Sequence, residues 1–364
     1  MPRKTVSLAK EMGLVKERKI INFDGRCLQD TGYRSSGIGK YAEWLFIKLL
    51  ASPQFLVKFA AHQEDQYVAS LLKKVEFETI PFCEMRSGIY FNPSLMTHNS
   101  EPLDLASARG LTRVGVVHDL IPLRRPDESS EYDLSLFKTM LGKSAELDVI
   151  VANSLCTMRD YRAWRKADVS LFVLHPESRF AACGPDVSHA KKAVQAILKI
   201  DSPYVFFAVA DHPRKNIELA ARAAPALQEL GFATVVGGGI SATTIERLSQ
   251  SYDLSTITFT PRLSDPDLVS VYVAAEAVVI PSFDEGFSLP VFEAVNLGCR
   301  VLVSDIDAHR EQVLDSKHFF KPDDLGDFLE SFHATSSCES TNHVLFDHTK
   351  ELASFLNRLD DCSS

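Results

Sequence analysis

Short apolar runs rich in β-branched and aromatic residues alternate along most of this chain with longer stretches whose apolar residues recur every three or four positions. The first pattern predicts buried strands and the second amphipathic helices. In the first half, strands are expected at Lys19 to Asp24, Phe55 to Ala60, Val75 to Ile80, Arg113 to Val117, Asp148 to Ala152 and Val169 to Leu174. Helices are expected between them at Ile38 to Leu50, Tyr132 to Ala145 and Ser154 to Trp164. A polar stretch from His175 to Val187, holding Pro176, Gly184 and Pro185, interrupts the pattern. It resumes with strands Tyr204 to Val209, Ala233 to Val236, Thr256 to Thr260, Ala277 to Pro281 and Arg300 to Ser304. Helices His189 to Lys199, Lys215 to Leu230, Ala242 to Ser251, Pro266 to Ala275 and Leu289 to Leu297 separate these strands. Such alternation predicts an α/β protein of parallel sheets with helices on both faces. Two doubly wound units are expected, 19–187 and 188–345, between an N-terminal extension (1–18) and a C-terminal helix and tail (346–364).

The length of 364 residues agrees with two domains at roughly 150 residues each. The balance of 39 basic and 48 acidic residues gives −9, which argues against nucleic acid as a partner. The longest apolar runs fall far short of the ~20 residues of a membrane span. Lys4, Lys10, Lys16, Arg18 and Lys19 offer a peripheral contact with an anionic membrane surface; a solvated basic helix is the alternative. The seven Cys are scattered without a C-x-x-C pair, and they read as reduced thiols of a cytoplasmic protein. Neither a zinc site nor a disulfide framework is expected.

Most of the candidate chemistry lies in Pro281-Ser-Phe-Asp-Glu-Gly-Phe-Ser-Leu-Pro-Val-Phe-Glu293, a turn from a buried parallel strand into a helix. Pro290 suits a first helical turn and Gly298 a left-handed stop. Ligands of open α/β sheets bind beyond the carboxyl ends of strands, and exposed N–H groups at a helix start suit phosphate or a polar sugar. Seven residues separate Glu285 from Glu293, so both can reach one ligand from different heights. By spacing alone, a helix with an acidic first turn and an unrelated loop glutamate fits as well. Arg214 and Lys215 at a helix start oppose the macrodipole, which favours a bound anion there. Gly237 to Gly239 reads as a tight turn, and Asp211 is uncomfortable beside phosphates. Asp305-Ile-Asp307 is assigned no metal, and His309, Arg310 and Glu311 are expected to be solvated or capping.

The run from Glu285 through Glu293 to Asp305 resembles the E-x7-E signature of the retaining glycosyltransferases of family 4, which have the GT-B fold. Val269 to Ser282, Pro213-Arg-Lys-Asn216, Val117-His118-Asp119-Leu-Ile-Pro122 and Ser36-Gly37-Ile-Gly39-Lys40-Tyr41 resemble further motifs of that family, in its order. The resemblance implies two Rossmann-like domains facing each other across a cleft, an acceptor side first and a sugar-nucleotide side second. It implies that Glu293 holds the ribose hydroxyls and Glu285 the transferred sugar. Gly286, Phe287, Ser288 and Leu289 would line the sugar and phosphate pocket with backbone N–H groups. Lys215 and Arg214 would neutralise the departing diphosphate. His118 would face the donor sugar, and Gly37 and Gly39 would let backbone approach the phosphates. No metal or other cofactor is implied. The closest likeness is to bacterial polysaccharide mannosyltransferases. The expected donor is therefore a GDP- or UDP-sugar, GDP-mannose first, and the acceptor a glycan or lipid-linked oligosaccharide. Such an enzyme would work in the cytoplasm or at the inner face of the membrane, beside other enzymes of polysaccharide and lipopolysaccharide assembly. A non-enzymatic subunit of the same fold and a sugar-nucleotide epimerase or hydrolase are the alternatives. The first draws on Ala210-Asp211, which replaces the family's usual Gly-Arg or Gly-Thr.

Overall fold

The structure is a computed structural model and describes residues 18–62, 70, 74–166, 170–180, 186–338 and 340–362. It divides into two units, one of described residues up to Glu177 together with those from Asp347 on, the other Ser178–Phe346. The division thus falls at Glu177 rather than Val187. The C-terminal segment, expected to stand apart, belongs to the first unit.

The first unit holds a seven-stranded sheet: β1 (Lys19–Asp24), β2 (Phe55–Ala61), β3 (Glu78–Pro81), β4 (Ile89–Asn92), β5 (Thr112–Val117), β6 (Val149–Ala152) and β7 (Leu171–Val173). Its order is β3-β2-β1-β4-β5-β6-β7, parallel throughout. Strand β4 was not foreseen. Its four residues lie between Gly88 and Pro93 and are buried on both faces, so they show no alternation. The core beneath is aromatic: Phe23 meets Phe46 at 4.9 Å and stacks on Phe91 at 5.7 Å between ring centroids. Each such ring contributes about 1.5–3 kcal/mol through burial.

The helix His348–Asp361 joins this core because Phe355 and Leu359 share one face of it. Phe355 packs edge-on against Phe91, and the Glu351 carboxylate accepts hydrogen bonds from the backbone N–H (3.0 Å) and ring (2.8 Å) of His175. Of the N-terminal basic residues, Lys19 lies 3.7 Å from Asp360, while Lys4, Lys10 and Lys16 fall outside the described residues.

The second unit holds six strands: β8 (Tyr204–Phe207), β9 (Ala233–Val236), β10 (Ile257–Phe259), β11 (Ala277–Ile280), β12 (Val301–Ser304) and β13 (Phe319–Phe320). They are parallel in the order β10-β9-β8-β11-β12-β13. The central strands β8, β11 and β12 are buried on both faces.

Each sheet reverses its winding once. The chain runs outward from β1 through β2 to β3, then returns to the other side of β1 as β4; β8, β9, β10 and β11 repeat the manoeuvre. Loops leaving the carboxyl ends of two such neighbours diverge and open a crevice, where ligands of doubly wound sheets bind. In the second unit the two loops at that point are 208–216 after β8 and 281–288 after β11. Among the described residues, no helix is long and apolar enough to cross a membrane.

Candidate functional site

At the β8/β11 reversal the two loops are bolted together. Pro213–Lys215 forms one turn of 3-10 helix, ending on Asn216 at φ 53°. Asn216 then starts the helix Ile217–Glu229. Its side-chain amide donates to the carbonyls of Pro281 (3.1 Å) and Pro322 (2.6 Å), and the Phe283 N–H donates to the Arg214 carbonyl at 2.8 Å. Asn is suited to this place because it tolerates the left-handed region and carries two donors. Asn216→Ala should therefore cost about 2–3 kcal/mol, from two lost hydrogen bonds and a strained backbone. Urea denaturation would measure it.

This clamp brings together three of the expected site residues. Glu285 is buried, with Oε1 accepting from Lys215 Nζ at 2.5 Å and Ser282 Oγ at 2.7 Å. Its Oε2 accepts from Arg214 Nη1 at 3.0 Å. Burial alone would raise the carboxyl, but Lys215 and then Arg214 outweigh it and hold it down to about 2. The two cations expected to demand a bound anion thus already face an internal one. The trio carries +1, so a diphosphate would still find net positive charge there.

Glu293 lies in the helix Leu289–Asn296 and is buried. Its partner was not foreseen: Arg179 Nε donates to Oε1 at 2.5 Å and Nη2 lies 3.4 Å from Oε2. The third Arg179 nitrogen donates to Asp265.

The segment Gly286 to Leu289 is shaped from below. Ser288 sits at φ 74°, a left-handed conformation where glycine is the easier residue. Its hydroxyl lies 3.2 Å from His309 Nε2, while Nδ1 of that ring lies 2.9 Å from the Ser304 carbonyl. Gln312 donates from its amide to the Phe287 carbonyl. His309, expected to be solvated or capping, is instead fully buried, and burial pushes its imidazole down to about 4. A neutral ring with one donor and one acceptor suits a hydroxyl on one side and a carbonyl on the other. The signal in the sequence was only its place just after β12. Arg310 does remain at the surface, paired with Asp305 at 2.5 Å. Gly298 takes φ 76° and ends the helix as expected.

Asp211 is not loose among phosphates. It accepts from Ser241 N–H (3.0 Å) and Thr244 Oγ1 (2.6 Å), at the start of the helix Ala242–Ser249. Gly238, at φ 100°, is confirmed as a turn residue: a Cβ there would lie 2.0 Å from the Val209 carbonyl oxygen. Among the described residues, no cluster of three or more His, Cys, Asp or Glu side chains is placed to hold a metal ion. Their cysteines are all free, and Cys183 lies outside them.

The remaining expected residues lie in the first unit. Gly37 and Gly39 open the helix Gly37–Ala51. A Cβ on Gly39 would lie 2.4 Å from the Tyr33 carbonyl oxygen, so that glycine is required by a backbone neighbour in the protein itself. His118 follows β5 and is buried, with Nε2 donating to the Pro93 carbonyl at 2.9 Å. Burial pushes it down to about 4, with the Pro93 carbonyl opposing. Tyr41, one turn into the Gly37 helix, meets the His118 ring edge-on at 5.2 Å, so these two motifs share one place.

With this geometry in hand, comparison with known proteins is informative. Residues 190–350 match the model of the family described as Glycosyl transferases group 1. The solved structures it resembles include sucrose-phosphate synthase from Thermosynechococcus elongatus, with a TM-score of 0.63, 16% identity and 95% of each chain covered. HepE from Anabaena, solved with UDP and glucose, gives 0.63 at 12% identity, covering 96% of this chain and 95% of that one. The fold is GT-B. Among curated proteins, the GT-B chain is 28% identical over 228 residues to the serotype-specific mannosyltransferase WbdA of Escherichia coli. That match covers 59% of this chain and 28% of WbdA. A D-inositol 3-phosphate glycosyltransferase of Mycolicibacterium smegmatis is 29% identical over 196 residues, covering 51% of this chain and 44% of that protein. The chain thus spans less than half the length of these curated relatives, and Arg214, Lys215, Glu285 and Glu293 lie among the residues that match the family model.

Proposed function

We propose that this chain is a retaining glycosyltransferase of family 4 that moves a hexose from a sugar nucleotide to a glycan or lipid-linked oligosaccharide. The observation that carries the reading is the buried Glu285 carboxylate held between Lys215 and Arg214 at the β8/β11 reversal. A departing nucleoside diphosphate gains negative charge as the glycosidic bond breaks, and fixed cations are the means of stabilising it. Lys215 and Arg214 supply that charge without a metal ion. Glu285 positions both ammonium and guanidinium groups, and its carboxylate can accept from a sugar hydroxyl. The N–H groups of Gly286 to Leu289 line the sugar and phosphate pocket. Glu293 accepts from the ribose diol. The acceptor hydroxyl then attacks the anomeric carbon on the face the diphosphate leaves, and the diphosphate takes its proton.

Mannose from GDP-mannose is the first donor in this reading, supported by the likeness to WbdA; UDP-sugars come second, supported by the UDP-bound HepE. The reaction would take place on the cytoplasmic side, at the membrane when the acceptor is lipid-linked.

Incubation with a panel of labelled sugar nucleotides and glycan acceptors tests the reading. Transfer from one donor is expected, with anomeric configuration kept by NMR; donor breakdown in the absence of any acceptor would favour a hydrolase instead. Glu293→Ala should weaken binding of the nucleoside diphosphate by about 1.5–3 kcal/mol, the range for hydrogen bonds to a charged group. An unchanged titration curve would remove Glu293 from the ribose site.

A further inference from the structure

Glu293 is the acidic end of a buried ion pair that no sequence motif announces. The Arg179 side chain is 30% exposed and that of Glu293 only 4%, so the guanidinium forms the solvent side of the pair. Arg179 spends Nε and Nη2 on Glu293 and Nη1 on Asp265, and its Cζ lies 4.6 Å from the centre of the Phe180 ring. Such a fork satisfies a buried carboxylate that would otherwise be costly.

We infer that Arg179 is a plug for the ribose subsite: it occupies the Glu293 carboxylate until the 2′,3′-diol of a nucleoside diphosphate displaces it. The inference rests on the assignment of Glu293 to the ribose and adds how that subsite is regulated. Two hydroxyl donors of a diol would replace two N–H donors of the fork. Residues 174–180 have no regular secondary structure, whereas Glu293 is fixed within a helix, so the arginine is the partner that moves. Phe180 is packed in the second unit's core beside Tyr272, which pins the backbone next to Arg179. The side chain therefore leaves by rotation. Asp265, half-exposed at the first turn of the helix Asp265–Ala274, accepts from Nη1 and so helps to hold the guanidinium on Glu293. The plug lowers the apparent affinity for nucleotide by the fraction of molecules in which Glu293 is open. It also makes that cost specific to ligands that need Glu293.

Titration calorimetry of the full chain with GDP, UDP and their 2′,3′-dideoxy forms tests this. Arg179→Ala should bind the ribonucleotide about tenfold more tightly and the dideoxy form no more tightly than the parent. Asp265→Asn should shift ribonucleotide affinity in the same direction by a smaller factor, and it carries the test should Arg179→Ala fail to fold by thermal melting. Unchanged or weaker ribonucleotide binding in these variants, or equal tightening for the dideoxy form, would overturn the plug. Glu293→Ala separates the two levels. Loss of ribonucleotide affinity there, with no gain in Arg179→Ala, would overturn the plug alone. Parental affinity for both nucleotide forms in Glu293→Ala would overturn the ribose assignment and the plug with it.

Discussion

Lys215→Ala is expected to lower the turnover of sugar transfer by about 10²–10³-fold, the loss typical of removing one preorganised group that meets developing charge. The side chain is 13% exposed and its ammonium is held 2.5 Å from Glu285, so it is already placed and pays little to reorganise. The fold should suffer less than the reaction. Glu285 keeps Arg214 at 3.0 Å and Ser282 at 2.7 Å, so the buried carboxylate is not left unpaired. Arg214→Ala should fall in the same direction by a smaller factor, because its guanidinium is more exposed and also bonds the Asp284 carbonyl. Steady-state kinetics beside thermal melting would separate the effects. A lowered melting temperature with turnover intact would make Lys215 a structural cation only.

Acid should release the second large effect. The Glu285 carboxyl ordinarily titrates near 4.5 and is held at about 2 in the fold, against the pull of burial, by Lys215 and then Arg214. Because the folded value lies below the unfolded one, the stabilisation is complete above about pH 4.5 and is lost as pH falls toward about 2. The gap corresponds to about 3 kcal/mol. Glu285→Gln should abolish that part of the acid limb in melting curves taken between those pH values. The same variant should still bind nucleoside diphosphate, since both cations remain, while losing transfer because the sugar hydroxyl loses a charged acceptor. An acid limb unchanged in Glu285→Gln would mean that other carboxylates control acid stability.

The fold was legible because buried parallel strands and amphipathic helices differ in length and period, and Lys19–Asp24 and Ala233–Val236 were placed to the residue. Strand β13 escaped because two residues give no pattern to read, and β4 because only three of its four residues are apolar, between Gly88 and Pro93. The loop glutamate and the basic turn were visible as local motifs, yet their meeting was not: Lys215 and Glu285 lie 70 positions apart. Arg179 stood in a polar stretch that read as an interruption, and its partner lies 114 residues on, so nothing nearby marked it. His309 misled in the opposite way. A polar triplet after a strand usually faces water, but here the helix following β12 turns inward beneath Ser288 and buries the ring.

A thermal-shift series of the purified chain with UDP, GDP, ADP and their common sugars tests the donor site most directly. A ligand at 100 times its dissociation constant adds about 2.7 kcal/mol to the folded state, enough for a clear shift. Stabilisation by one nucleoside diphosphate, reduced in Glu293→Ala and in Lys215→Ala, is the expected result. Melting curves that do not move with any nucleotide or sugar nucleotide would contradict a donor site built on Lys215, Glu285 and Glu293.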